Sequence, residues 1–182
     1  MLSEVLWKMV DSIFTGILTW FHVVSVIGWS GAAITFLVAV GPSLRKLSPQ
    51  ANSEIALKMF PRYVRTIQIF TVLTLIFGPL LAFTMNAFND VGGPNSFDLV
   101  SPWSQLIIAG ATVGIVTFFL VFFAFTPTAK GLGRLVQQMQ QNPQQPPPEK
   151  FGILQKRVAI LGPLAVGLLL SAEVFMVAAA QF

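Results

Sequence analysis

Hydrophobic positions in this chain neither alternate nor recur as narrow stripes. They fill four long runs, 13–40, 66–88, 101–126 and 158–181, in which Glu173 is the single charged residue. A hydrocarbon core of about 30 Å is crossed by about 20 helical residues at 1.5 Å each, so every run is long enough to span. A membrane barrel would show segments of about 10 residues alternating apolar and polar, and a stretch such as FFLVFFAF does not alternate. Helices satisfy every backbone group within one lipid-exposed segment. The pattern therefore predicts an all-α integral membrane protein, a four-transmembrane-helix bundle forming a single domain over residues 1–182.

Local signals refine the spans and the segments between them. Gly78-Pro79 and Gly162-Pro163 predict kinks in spans two and four. Gly110 and Gly114 form GxxxG in span three, and Gly28 with Ala32 makes a similar small-residue pair in span one, both expected to serve helix packing inside the bundle. Between spans one and two, residues 49–62 (PQANSEIALKMFPR) predict a short surface helix capped by Ser48 and ending before Pro61, within a loop over 41–65. The loop over 130–157 contains QQMQQNPQQPPPE, which reads as a mobile or polyproline-like connector. NDVGGPNSFD, between spans two and three, is a turn cluster. No internal repeat is evident beyond the helix count.

Charge placement sets the expected orientation. Ten of the eleven basic residues fall in the 41–65 and 130–157 loops, whereas the loop between spans two and three carries Asp90 and Asp98 and no cation. Short loops rich in Lys and Arg stay cytoplasmic, so both termini are expected outside, N-out and C-out, in a multi-pass protein of the cell membrane. The net charge of +4 then reflects topology rather than a nucleic-acid partner, with anionic lipid headgroups as natural contacts of the basic loops. The N-terminal MLSEVLWKMVDS is acidic and amphipathic and reads as retained rather than as a cleavable signal. Zero cysteines exclude disulfides, iron–sulfur clusters and thiolate metal sites.

Two ionisable groups inside the spans carry the candidate chemistry. An acidic residue at membrane depth costs a few kcal/mol unless neutralised, hydrated or paired, which makes Glu173 a candidate for proton handling or for an interhelical polar contact. His22, the sole histidine, shares a helix face with Ser25 and Trp29; on span four Gly162, Val166, Leu169 and Glu173 share another. Both faces are expected to turn inward, with His22 and Glu173 at similar depth in the outer half, where they could hydrogen-bond or share a proton. Met85 and Met176 lie toward the same side, so His22 with two thioethers would suit Cu(I), or a haem whose sixth position is a methionine, a second subunit or open. Zinc hydrolysis, a Ser-His-Asp nucleophile and a two-carboxylate glycosidase site lack the necessary ligands or partners.

The segment TWFHVVSVIGWSGAAITF, with its H-x6-W-x-G pattern at His22, Trp29 and Gly31, resembles the first helix of the small membrane proteins grouped with copper-resistance protein D and with HemJ-type protoporphyrinogen oxidase. The resemblance implies a small helical bundle that handles copper or holds a b-type haem, with His22 as the ligand. The chain departs from the HemJ pattern at VGPSLRKL and has no intramembrane lysine, so the resemblance does not extend to porphyrinogen oxidation. The expectation is thus a membrane protein binding haem b or copper near the outer leaflet through His22, Trp29, Met85 and Met176. Two alternatives stand beside it: a non-catalytic subunit packed against other membrane proteins or a second copy of itself, and a proton-coupled carrier using Glu173.

Overall fold

With no water in the hydrocarbon to satisfy backbone groups, each apolar run folds as a continuous rod. The structure, a computed structural model, describes residues 2–44, 46–85, 101–142, 144 and 146–182. Among them no strand occurs, and four rods are long and apolar enough to cross a membrane: Met9–Leu44, Leu57–Thr84, Pro102–Gln141 and Glu149–Ala179. The chain is an all-α four-helix membrane bundle. Span one consists of α1 (Leu2–Thr35), a π-helical turn (Phe36–Val40) and α2 (Gly41–Leu44); span two belongs to α3 (Pro49–Thr84). Span three joins α4 (Pro102–Phe119), a second π turn (Leu120–Phe125) and α5 (Thr126–Gln141), and span four is α6 (Glu149–Ala179).

Start signals behave as their chemistry dictates. Ser48 Oγ accepts from the Ala51 N–H at 3.3 Å and Ser101 Oγ from the Ser104 N–H at 3.2 Å, each followed by a proline whose missing N–H costs nothing at that position. The Lys58 ammonium beside Glu54, one turn earlier in α3, holds that exposed carboxyl below its ordinary range.

Two connecting segments depart from expectation. The helix capped by Ser48 does not end before Pro61; α3 runs through it to Thr84. Pro61 removes one ladder hydrogen bond, but its neighbours Phe60 and Tyr63 pack on Phe36 of span one, with ring centroids 5.7 and 4.6 Å away, and this contact holds the helix on course. The glutamine run is helical as far as Gln141, leaving a connector over 142–148 that ends in polyproline geometry at Pro148, φ −58° and ψ 143°. The NDVGGPNSFD segment lies outside the described residues.

The rods pack as two antiparallel pairs, span one along span two and span three along span four; the pairs meet through α3 with α5 and α1 with α6. Lipid is as apolar as leucine, so close packing and hydrogen bonds rather than hydrophobic exclusion hold the seams. In the first seam the glycines are used reciprocally. A Cβ on Gly28 would meet the Phe70 ring at 2.6 Å, and one on Gly78 would meet His22 Cε1 at 3.1 Å, so each helix presents a ring to a gap in the other. Tyr63 donates its hydroxyl to the Ala32 carbonyl at 2.8 Å lower in the same seam. In the second seam a Cβ on Gly110 would stand 3.1 Å from the Ala172 carbonyl oxygen, whereas one on Gly114 would meet nothing within 4 Å. The GxxxG pair is therefore split: Gly110 admits α6 and Gly114 does not take part.

Both π turns end two residues before a proline, Pro42 and Pro127. Proline lacks the N–H and its ring crowds the carbonyl four residues back. The ladder responds by widening to five-residue bonds, from the Gly41 N–H to the Phe36 carbonyl and from the Thr126 N–H to the Val121 carbonyl. The two sequences match around this point, AVGPS at 39–43 and AFTPT at 124–128. That correspondence between spans one and three is a local repeat hidden by the uniform hydrophobicity of the spans.

Candidate functional site

One buried residue from each span meets at the centre of the bundle: Trp29, Ile67, Val121 and Leu169 form a continuous apolar core. They also close one end of a cavity of about 450 Å³ that extends toward the end of the bundle bearing the 41–65 and 130–157 segments, the basic end. Phe36, Tyr63 and Phe125 line its walls with Gly162 and Pro163, and Gln155 contributes an amide nearer the basic end. Phe36 and Phe125 come from the two π turns. Such turns widen a helix locally and recur at functional sites; here one lies on either side of the same cavity.

Immediately beyond the apolar layer, away from the cavity, each span offers a polar residue four positions further along: Ser25, Thr71, Thr117 and Glu173. Ser25 is 2% exposed and Thr71 and Thr117 are fully buried. Their hydroxyls donate to carbonyls of their own helices, Ser25 to Phe21 at 2.6 Å, Thr71 to Ile67 at 2.7 Å and Thr117 to Val113 at 2.8 Å. Each oxygen keeps lone pairs with which to accept. Glu173 is the ionisable member of this layer, and its Oε1 is buried without a hydrogen-bond partner. Side chains tilt toward the helix N-terminus, which for α6 is the basic end, and the carboxyl accordingly lies beside Ser30 of span one. The Ser30 hydroxyl is itself donated to Val26 O at 2.9 Å. Leaving a buried polar atom unmet costs about 1–3 kcal/mol, so a carboxyl oxygen held this way, one turn beyond the cavity-lining Leu169, is a place where a proton or a water would be stabilised.

The sequence candidates separate. Gly162, Val166 and Leu169 do share a face, and it is the cavity wall; Trp29 joins them. His22 is elsewhere. Its ring lies over Gly78 with the Thr74 backbone carbonyl alongside, and its Nδ1 is buried without a partner. Ser30, the neighbour of Glu173, is eight residues from His22 along α1, about 12 Å, so the two ionisable groups are not at one depth. Met176 packs on Gly110 in the other helix pair, and Met85 is 36% exposed at the end of α3, seven residues beyond Gly78. The thioethers therefore do not gather around the imidazole, and among the described residues no group of three or more His, Asp or Glu is placed to hold a metal ion. Tyr63, Thr71, Thr117 and Ser30 were not singled out by sequence, although serines and threonines spaced four residues from inward-facing positions were a usable signal.

Comparison of the chain with models of protein families, with curated proteins and with solved structures finds no match.

Proposed function

We propose that this chain is a proton-coupled membrane carrier for an aromatic, lipophilic cation or its neutral base. The solute would be held in the cavity at the basic end, which the distribution of Lys and Arg assigns to the cytoplasm. The carrying observation is the half-buried Glu173 carboxyl, whose Oε1 is buried and unpartnered among the described residues, beside Ser30 of span one and so one residue from Trp29 of the apolar layer that bounds the cavity. A volume of about 450 Å³ suits a small organic solute. Trp29, Tyr63, Phe36 and Phe125 would favour a cation over an anion, and no Lys or Arg is among the described residues that line the cavity. Glu173 would bear a proton when the cavity is empty, since a bare carboxylate at that depth costs several kcal/mol, and would release it when a cation displaces the Trp29–Leu169 contact and draws near. The proton would leave to water, and the carboxylate would be left paired with the cation.

Binding of radiolabelled tetraphenylphosphonium to the purified protein tests the reading. Saturable binding that weakens at least tenfold in Gly162→Leu, which fills the cavity, and not in Gly167→Leu, where nothing lies within 4 Å, supports it. Absence of saturable binding, or equal loss in both variants, overturns it.

A second reading follows from the buried, unpartnered Nδ1 of His22, which is one donor toward haem b or copper. Among the described residues the candidate thioethers do not converge on it. Such a site requires a ligand from a second copy or another subunit. A Soret band or stoichiometric copper in purified protein, lost in His22→Ala, supports this reading; a colourless, metal-free preparation that also fails to bind the cation leaves a structural subunit.

A further inference from the structure

On the outer surface of the second helix pair, α5 and α6 enclose a groove of about 680 Å³ quite separate from the central cavity. Its floor is narrow because Gly131 lets the helices approach: a Cβ there would stand 3.2 Å from Leu154 Cδ1. Lys150 and Arg157 line it, seven residues apart on α6 and thus on one face, about 10 Å from each other along the axis. No acid lines the groove, and neither cation has an ion-pair partner among the described residues. Beyond Arg157 the residues 158–170 are all apolar, and the groove continues between Phe123 and Ile160, which are 70% and 67% exposed. Two unpaired cations at one end of an apolar, outward-facing slot match one chemistry closely: a phosphate headgroup with an acyl chain attached.

We infer that the α5–α6 groove is a specific site for an anionic phospholipid of the leaflet at the basic end, its phosphate held between Lys150 and Arg157 and one acyl chain laid along Phe123, Leu154 and Ile160. General attraction of basic loops to an anionic surface would not need a groove. What distinguishes this site is that Lys156, the immediate neighbour of Arg157, does not line it. The two residues carry the same charge at the same height on different faces, so a specific site and a diffuse field give different answers. A soluble phosphate would gain the cations but nothing from the exposed Phe123 and Ile160.

The test uses the full chain in mixed micelles, with native mass spectrometry counting retained lipid as phosphatidylglycerol is titrated against phosphatidylcholine. At about 1 kcal/mol per juxtamembrane cation, two cations correspond to a preference of about 25-fold for phosphatidylglycerol. Lys150→Gln with Arg157→Gln should abolish that preference, Ile160→Ser should weaken retention of either lipid, and Lys156→Gln should change neither. Equal loss in Lys156→Gln would show a diffuse surface field and overturn the site. Displacement of the lipid by millimolar inorganic phosphate or glycerol phosphate would show an ion site instead and overturn the lipid assignment. Circular dichroism of each variant confirms the fold, and the double glutamine variant retains side chains long enough to cover the same groove.

Discussion

Alanine at Gly110 and alanine at Gly114 are the same substitution one helical turn apart, and the packing of span three on span four makes their consequences opposite. A Cβ on Gly110 would stand 3.1 Å from the Ala172 carbonyl oxygen, 3.1 Å from Met176 Cγ and 3.3 Å from Phe175 Cβ. The methionine can swing aside; a backbone carbonyl and a Cβ cannot, so α4 and α6 must part by a few tenths of an ångström along their closest approach. Opening a gap of about 0.5–1 Å forfeits a quarter to a half of each local dispersion contact, and overpacking a well-filled interior costs about 1–3 kcal/mol. Gly110→Ala should therefore destabilise by about 1–2 kcal/mol, or roughly tenfold in the folding equilibrium. Gly114→Ala, with nothing within 4 Å, should be neutral or slightly stabilising, because alanine restricts the unfolded helix more than glycine does. Reversible unfolding by dodecyl sulfate in mixed micelles, followed by far-ultraviolet circular dichroism, measures both. Equal costs at the two sites, or a neutral Gly110→Ala, would refute the close approach of α4 to α6.

Tyr63→Phe keeps the stack on Phe36 but loses the bond to Ala32, and should cost about 0.5–1.5 kcal/mol in the same assay; a cost near zero would show that the hydroxyl does not tie spans one and two. Pro127→Ala restores an N–H and should let the Leu120–Phe125 turn relax to α-helix, rotating α5 by about 100°. A disulfide formed between cysteines at Gly131 and Leu154 should then form poorly, and undiminished crosslinking would clear the proline of causing the π turn. Cysteines introduced singly at Ser53 and Gln144 should resist impermeant labelling in intact cells while one at Asn95 is labelled, and the reverse pattern would invert the orientation.

The four spans were legible because each is an unbroken apolar run, and the inward face of span four because Gly162, Val166 and Leu169 have helical spacing up to Glu173. What escaped sequence was decided between segments. Helix through Pro61 depends on aromatic rings from two spans meeting at Phe36, a contact no local propensity encodes. The π turns are a choice among hydrogen-bond partners, although the paired AVGPS and AFTPT segments marked where that choice would be forced. Distances to the span ends suggest similar depth for His22 and Glu173; the structure instead puts the Glu173 carboxyl beside Ser30, eight residues along α1 from His22. The polar layer was invisible for another reason. Thr71 and Thr117 look like any membrane threonine until the packing of the helices buries them fully.

The central claim is that occupancy of the cavity and protonation of Glu173 exclude one another. Proton release on adding tetraphenylphosphonium to weakly buffered protein at neutral pH, followed with a pH-indicating dye, measures that exchange directly. The account predicts a proton released with each cation bound by the native chain, and cation binding without release, or no binding, in Glu173→Gln. Binding by the native chain with no proton released, or the same release from Glu173→Gln, would contradict it.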